Sequence, residues 1–136
     1  MDEDKELEEL RRKKLEEMTH RKQEESVPFK ADPIVEVTDL NFVDVINKEG
    51  LVVIDCWASW CVPCRMLSPI IDELAKDYVG KIVFGKLNVD ENSEVPIKYQ
   101  ILSIPTILVF KNGNLVDRIG QAMPRRLLEP RITQHL

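Results

Sequence analysis

Residues 51–56 read LVVIDC, a near-continuous apolar run rich in β-branched side chains. A run of that kind has no polar face to offer water, so it fits a strand buried on both sides, at the centre of a sheet covered by helices above and below. One residue breaks the rule. Asp55 puts a carboxylate in the middle of the buried run. Taking such a group out of water without a partner is costly, so its position calls for a function or a set of satisfying hydrogen bonds.

The neighbouring segments supply the covering layers. Ile34–Val37 predicts a short strand, and Thr38 is placed to cap a helix over Asp39–Asn47 with Leu40, Val43 and Ile46 turned inward. From the Cys61 region to about Val79, Met66, Leu67, Ile70, Ile71, Leu74 and Tyr78 recur at helical spacing, with Pro69 inside. Ile82–Val89 predicts a strand, Val95–Tyr99 a short helix and Thr106–Phe110 another strand; Asn112-Gly113 then makes a tight turn into Leu115–Ile119. Pro124 opens a terminal helix with Leu127, Leu128 and Ile132 on one side, and Pro130 sits badly in its interior. Helices and strands alternate first and a hairpin comes last. The expected fold is therefore α/β, a central mixed sheet flanked by helices on both faces.

Residues 1–26 differ in kind. They carry 7 Lys or Arg against 10 Asp or Glu, with no Gly or Pro. Leu7, Leu10, Leu15 and Met18 fall on one helical face about 140° wide, a thin apolar stripe. A solvated or lightly docked helix, partial disorder and a partner-binding arm all remain open for this charged extension. Residues 27–33, with Pro28 and Pro33, read as a linker to a domain spanning 34–136. The acidic opening MDEDKELEEL suits neither a secretory signal nor a transit peptide, and no apolar run approaches a membrane span, so a cytoplasmic location is expected. A net charge of −5 argues against nucleic acid as a partner.

Three cysteines are too few for a disulfide-stapled secreted scaffold, and two of them, Cys61 and Cys64, stand three apart. In a reducing compartment such a pair means catalysis or metal. Its position between a buried strand and the first turn of a helix favours catalysis. Unpaired N–H groups and the helix dipole there stabilise an anion, lowering the pKa of the Cys61 thiol, and two intervening residues let the second sulfur fold back onto the first.

At this point the sequence resembles the thioredoxin family. Asp55–Arg65 (DCWASWCVPCR) is similar to the family's D-F-W-A-x-W-C-G-P-C-K pattern, and Lys86–Asp90 (KLNVD) to its third-strand pattern. Ile104-Pro105-Thr106 with Phe110–Gly113 (FKNG) resembles its cis-proline strand and turn, and Gly120 the glycine after its last strand. The match runs collinearly over about residues 34–136. It implies a thioredoxin fold and a protein dithiol–disulfide oxidoreductase that reduces client proteins through a reversible Cys61–Cys64 disulfide, with no cofactor or metal beyond that pair. By the same resemblance Cys61 is the exposed nucleophile and Cys64 the buried resolving thiol. Asp55 handles the proton of Cys64, Lys86 is its charged neighbour, and Pro105 is a cis proline beside the disulfide. Trp60, Val62, Pro63, Ile104 and Gly120 form the surface where substrates dock. A thioredoxin reductase is the expected electron donor, disulfide-containing proteins the clients, and a monomer the working form.

Two positions depart from the pattern. Val62 replaces the glycine usual between the cysteines, while the retained Pro63 and the absence of histidine there still favour a reductant. Cys56 replaces the usual phenylalanine and creates the spacing Cys56-x4-Cys61-x2-Cys64, part of a plant-type iron–sulfur run without its fourth cysteine. Strand alternation turns Cys56 away from Asp55, which favours a small buried hydrophobe over a redox-active or ligand thiol. Competing functions are a disulfide isomerase or oxidase of the same fold, a non-catalytic adaptor that uses the docking surface alone, and a metal carrier.

Overall fold

The computed structural model describes Lys5, Glu6, Glu8, Glu9 and residues 33–136; the four N-terminal residues are helical. The remaining expectations for residues 1–26 and the linker lie outside the described residues, and contacts divide the chain between Asp32 and Pro33.

From Pro33 onward the order is β1 (Ile34–Val37), α1 (Phe42–Ile46), β2 (Leu51–Trp57), α2 (Val62–Asp77), β3 (Ile82–Asn88), α3 (Glu94–Lys98), β4 (Thr106–Lys111), β5 (Asn114–Ile119) and α4 (Arg125–Thr133). The sheet has five strands in the order β1-β3-β2-β4-β5, so the apolar run is its central strand. β1 and β2 pair parallel with β3, whereas β4 pairs antiparallel with both β2 and β5, giving the mixed sheet. At the hairpin, Asn112 and Gly113 take φ of 51° and 84°, the left-handed pair that a two-residue turn between twisted strands requires.

β2 alternates between two cores. Leu51 and Val53 pack with Leu67, Ile71 and Leu74 of α2 and with Leu128 and Ile132 of α4. Val52, Ile54 and Cys56 join Phe42, Val45 and Ile46 of α1 and Val95 of α3 on the opposite face. Phe42, Tyr99 and Phe110 meet edge to face there, with ring centroids 5.4–5.7 Å apart. Gly85 of β3 lies between the two parallel neighbours. A Cβ on it would come within 2.5 Å of Val37 Cγ2 and 3.2 Å of Ile54 Cδ1, so a larger residue there would force these β1 and β2 side chains to shift.

The structure corrects the first helix. It begins at Phe42 rather than Asp39, and Leu40 and Val43 are exposed while Phe42, Val45 and Ile46 face inward. The cause is local. Thr38 and Asn41 exchange hydrogen bonds (Thr38 N–H to Asn41 Oδ1, 2.7 Å; Asn41 N–H to Thr38 Oγ1, 3.3 Å), closing a turn ahead of the helix. Asp39, freed from the helix, accepts instead from the N–H groups of Glu94 and Val95 at the start of α3. Met66, part of the apolar recurrence of α2, and Leu127, grouped with Leu128 and Ile132, are exposed. Pro69 and Pro130 lie inside α2 and α4 without ending either helix.

Candidate active site

The C-terminal end of β2 hands the chain to α2 through the turn Ala58–Trp60, and the chemistry gathers at that junction. Cys61 is the N-cap of α2, with extended backbone (φ −87°, ψ 110°), and its Sγ accepts the N–H of Cys64 at 3.3 Å. Pro63 follows in the first turn, where its missing N–H costs no hydrogen bond. A disulfide joins Cys61 and Cys64, whose Cα atoms lie 5.3 Å apart. The Arg65 guanidinium donates twice to the carbonyl of Ser59 (2.9 and 3.2 Å), fastening the turn to the helix.

The expected contrast between an exposed Cys61 and a buried Cys64 is absent in this disulfide form: the residues are 4% and 3% exposed. What separates them is environment. Cys61 occupies the helix cap, where amide donors and the dipole favour a thiolate. Cys64 lines a cavity of about 220 Å³ together with Asp55, Ser68 and Lys86.

Asp55 is 1% exposed, and its Oδ1 has no hydrogen-bond partner. Burial pushes its carboxyl up to about 7, against the attraction of Lys86 and with the repulsion of Asp72 added. Lys86 is its partner across the parallel β2–β3 pairing, so the two side chains share a face of the sheet. Its ammonium is nonetheless held elsewhere, donating to Ser68 Oγ and Asp72 Oδ1, both at 2.7 Å. Sequence reasoning missed Ser68 and Asp72, although Cys64, Ser68 and Asp72 fall at i, i+4 and i+8 on one stripe of α2.

Around the disulfide, Ile104 packs against Ala58, Cys61 and Cys64, and the Ile104–Pro105 peptide is cis. Trp60, Val62 and Pro63 are exposed, and the Trp60 indole N–H donates to the Asp90 carboxylate (3.0 Å to Oδ2). Trp57 is half-buried and packs against the Ala58, Cys61 and Cys64 cluster. Gly120, just past the end of β5, is exposed, and a Cβ there would meet nothing within 4 Å. Cys56 is fully buried in the α1/α3 core, away from the disulfide, and burial pushes its thiol up to about 12. The three sulfurs therefore do not converge. Among the described residues no group of three or more His, Cys, Asp or Glu is placed to hold a metal ion.

The thioredoxin family model matches residues 33–134. The chain belongs to the thioredoxin family. It is 45% identical over 102 residues to a thioredoxin of Chlorobaculum thiosulfatiphilum, a match covering 74% of this chain and 94% of that protein. A thioredoxin of Staphylococcus saprophyticus is 47% identical over 103 residues, covering 76% and 98% of the two chains. One of Pseudomonas aeruginosa is 49% identical over 86 residues, covering 62% and 80%. With a thioredoxin domain and a redox-active cysteine pair at its helix cap, the chain is a dithiol–disulfide oxidoreductase, a protein-disulfide reductase. Membership of the thioredoxin family also implies disulfide-containing client proteins and a reductase partner.

Proposed function

We propose that the domain 34–136 reduces client disulfides by a two-step exchange in which each site residue has one task. The Cys61 thiolate attacks a client disulfide; one client sulfur joins Cys61 and the other leaves as a thiolate, protonated by solvent. Cys64 then gives its proton to the Asp55 carboxylate, and its thiolate attacks Cys61 Sγ. The mixed disulfide breaks, the second client sulfur leaves with the electron pair, and Cys61–Cys64 becomes the disulfide. Two electrons pass to the client, and a thioredoxin reductase restores the dithiol. The redox-active pair is the only redox group this scheme needs, so no further cofactor enters it.

The observation that carries the assignment of acid and base is the shared cavity: Cys64 and the unpartnered Asp55 line one space roomy enough for water to relay a proton. Lys86 beside it tempers the cost of charging Asp55. Trp60, Val62, Pro63, Ile104, Pro105 and Gly120 form the docking surface. The open space over Gly120 supports its inclusion, since a side chain there would stand in the path of an approaching client strand. The protein works as a cytoplasmic monomer in electron transport and cell redox homeostasis, with neither nucleic acid nor membrane as partner. No helix of the described residues is long and apolar enough to cross a membrane. Residues 27–33 serve as a linker to the charged extension 1–26.

Trapping tests the order of attack. Incubated with an oxidised client, Cys64→Ser should accumulate a mixed disulfide through Cys61, whereas Cys61→Ser should not. Equal trapping by both variants would refute the assignment of nucleophile and resolving thiol.

A further inference from the structure

Lys86 stands across from Asp55 in the sheet, yet its ammonium is bonded to two side chains of the covering helix. We propose that Ser68 and Asp72 are positioning residues for the reductase reaction: together they hold the Lys86 charge against α2, and so fix the pH at which Asp55 can take the proton of Cys64. This rests on the role given to Asp55 above.

The geometry supports the assignment on three counts. Cys64, Ser68 and Asp72 stand at successive i, i+4 positions of α2, so the thiol that must lose a proton and the tethers of the lysine share one stripe. That stripe faces Asp55 and Lys86, because Cys64, Ser68, Lys86 and Asp55 line the same cavity. The ammonium has three donors, and Ser68 Oγ and Asp72 Oδ1 take two of them at 2.7 Å each. Asp55 Oδ1, by contrast, accepts from nothing. An ammonium free of the helix could turn toward that oxygen and hold Asp55 ionised. A carboxylate held in that way is a weaker base toward the Cys64 thiol. Asp72 acts twice: it neutralises part of the lysine charge, and its own negative charge disfavours a second carboxylate nearby.

The other groups around Asp55 leave this pair in control. From α2 they are Cys64, Asp72 and, on the cavity wall, Arg65, whose guanidinium is engaged with Ser59. From β3 the group is Lys86, and beyond it on β1 stands the exposed Glu36, the register partner of Lys86 on the same face. From β4 the residue opposite is Ile107, which does not titrate. The adjacent Cys56 points into the other core.

The test follows the Asp55 carboxyl by carbon-detected NMR in the oxidised protein, alongside the pH profile of client reduction, for wild type, Asp72→Asn, Ser68→Ala, Ser68→Thr and Lys86→Met. With Asp72→Asn the Asp55 midpoint should fall by about one pH unit, because an opposing charge is gone and the lysine is released. Ser68→Ala should move it the same way by less, and Ser68→Thr, which keeps the hydroxyl, should restore it. Lys86→Met should move it upward. The pH profile of reduction should shift with the midpoint in each case. An unmoved midpoint in Asp72→Asn, with Lys86→Met still raising it, would overturn the positioning role while leaving the role of Asp55 intact. If Asp55→Asn itself left the pH profile of reduction unchanged, the role of Asp55 would fall, and the positioning role with it.

Discussion

Replacing Asp55 by Asn removes a buried titrating group while nearly keeping its shape, and the consequence for stability can be worked out. In the folded protein the carboxyl titrates at about 7 rather than its ordinary 3.8, a difference worth about 4 kcal/mol. The raised value sets the sign. Below 3.8 both folded and unfolded chains are protonated at this position, and the group costs nothing. Between 3.8 and about 7 the unfolded chain ionises and the folded one does not, so stability falls as pH rises. Above about 7 both are ionised and the deficit levels off. Asn does not titrate, so its fixed cost or gain is the same at every pH. The stability of Asp55→Asn relative to wild type should therefore climb by about 4 kcal/mol between pH 3.5 and pH 8, nearly all of it inside that window, or about 2 M in the urea midpoint. Urea unfolding of the oxidised proteins suits the test, because the disulfide keeps Cys64 from titrating and the difference between variants cancels the other groups. A relative stability that stays flat from pH 4 to pH 8 would refute the claim that burial holds this proton.

One further substitution and one reagent probe the frame around the site. Gly85→Ala would push a methyl into Val37 and Ile54, both buried, and should destabilise the domain by about 1–3 kcal/mol in chemical denaturation; a loss below half a kcal/mol would mean that β1 and β2 can part easily. In the reduced native protein, iodoacetamide at neutral pH should alkylate Cys61 and leave Cys56 unmodified, since burial keeps Cys56 a protonated, inaccessible thiol; mass spectrometry showing native modification of Cys56 would contradict the packing described for β2.

The central strand, the mixed sheet and the cysteine pair were legible because each rests on a local pattern. An apolar run with no polar face can go only to the middle of a layered sheet, and two thiols at a helix cap have few structural uses. Asp55 was conspicuous for the same reason, a charge where the pattern forbids one. The first helix was misread because its phase depends on a turn built by Thr38 and Asn41, and on the use of Asp39 to cap a helix more than fifty residues away. Helical periodicity over so short a segment cannot register either event. Lys86 was placed correctly beside Asp55, but its tethers were invisible until the sheet and α2 were set face to face. Ser68 and Asp72 are ordinary residues of an amphipathic helix and gain meaning only from what they touch. The expectation of an exposed Cys61 came from its role as nucleophile, whereas in the disulfide form both cysteines are buried in a cluster with Ala58, against which Ile104 packs.

The central claim is that a dithiol at the cap of α2 reduces client disulfides, and insulin reduction with dithiothreitol as electron source tests it most directly, run on wild type and on Cys61→Ser with glutathione redox titration of the same wild-type sample. Rapid turnover in the wild type, its loss in the variant and a strongly reducing pair are the predicted results. Failure of the wild type to turn over, or a disulfide too oxidising to reduce insulin, would contradict it and favour an isomerase or an adaptor.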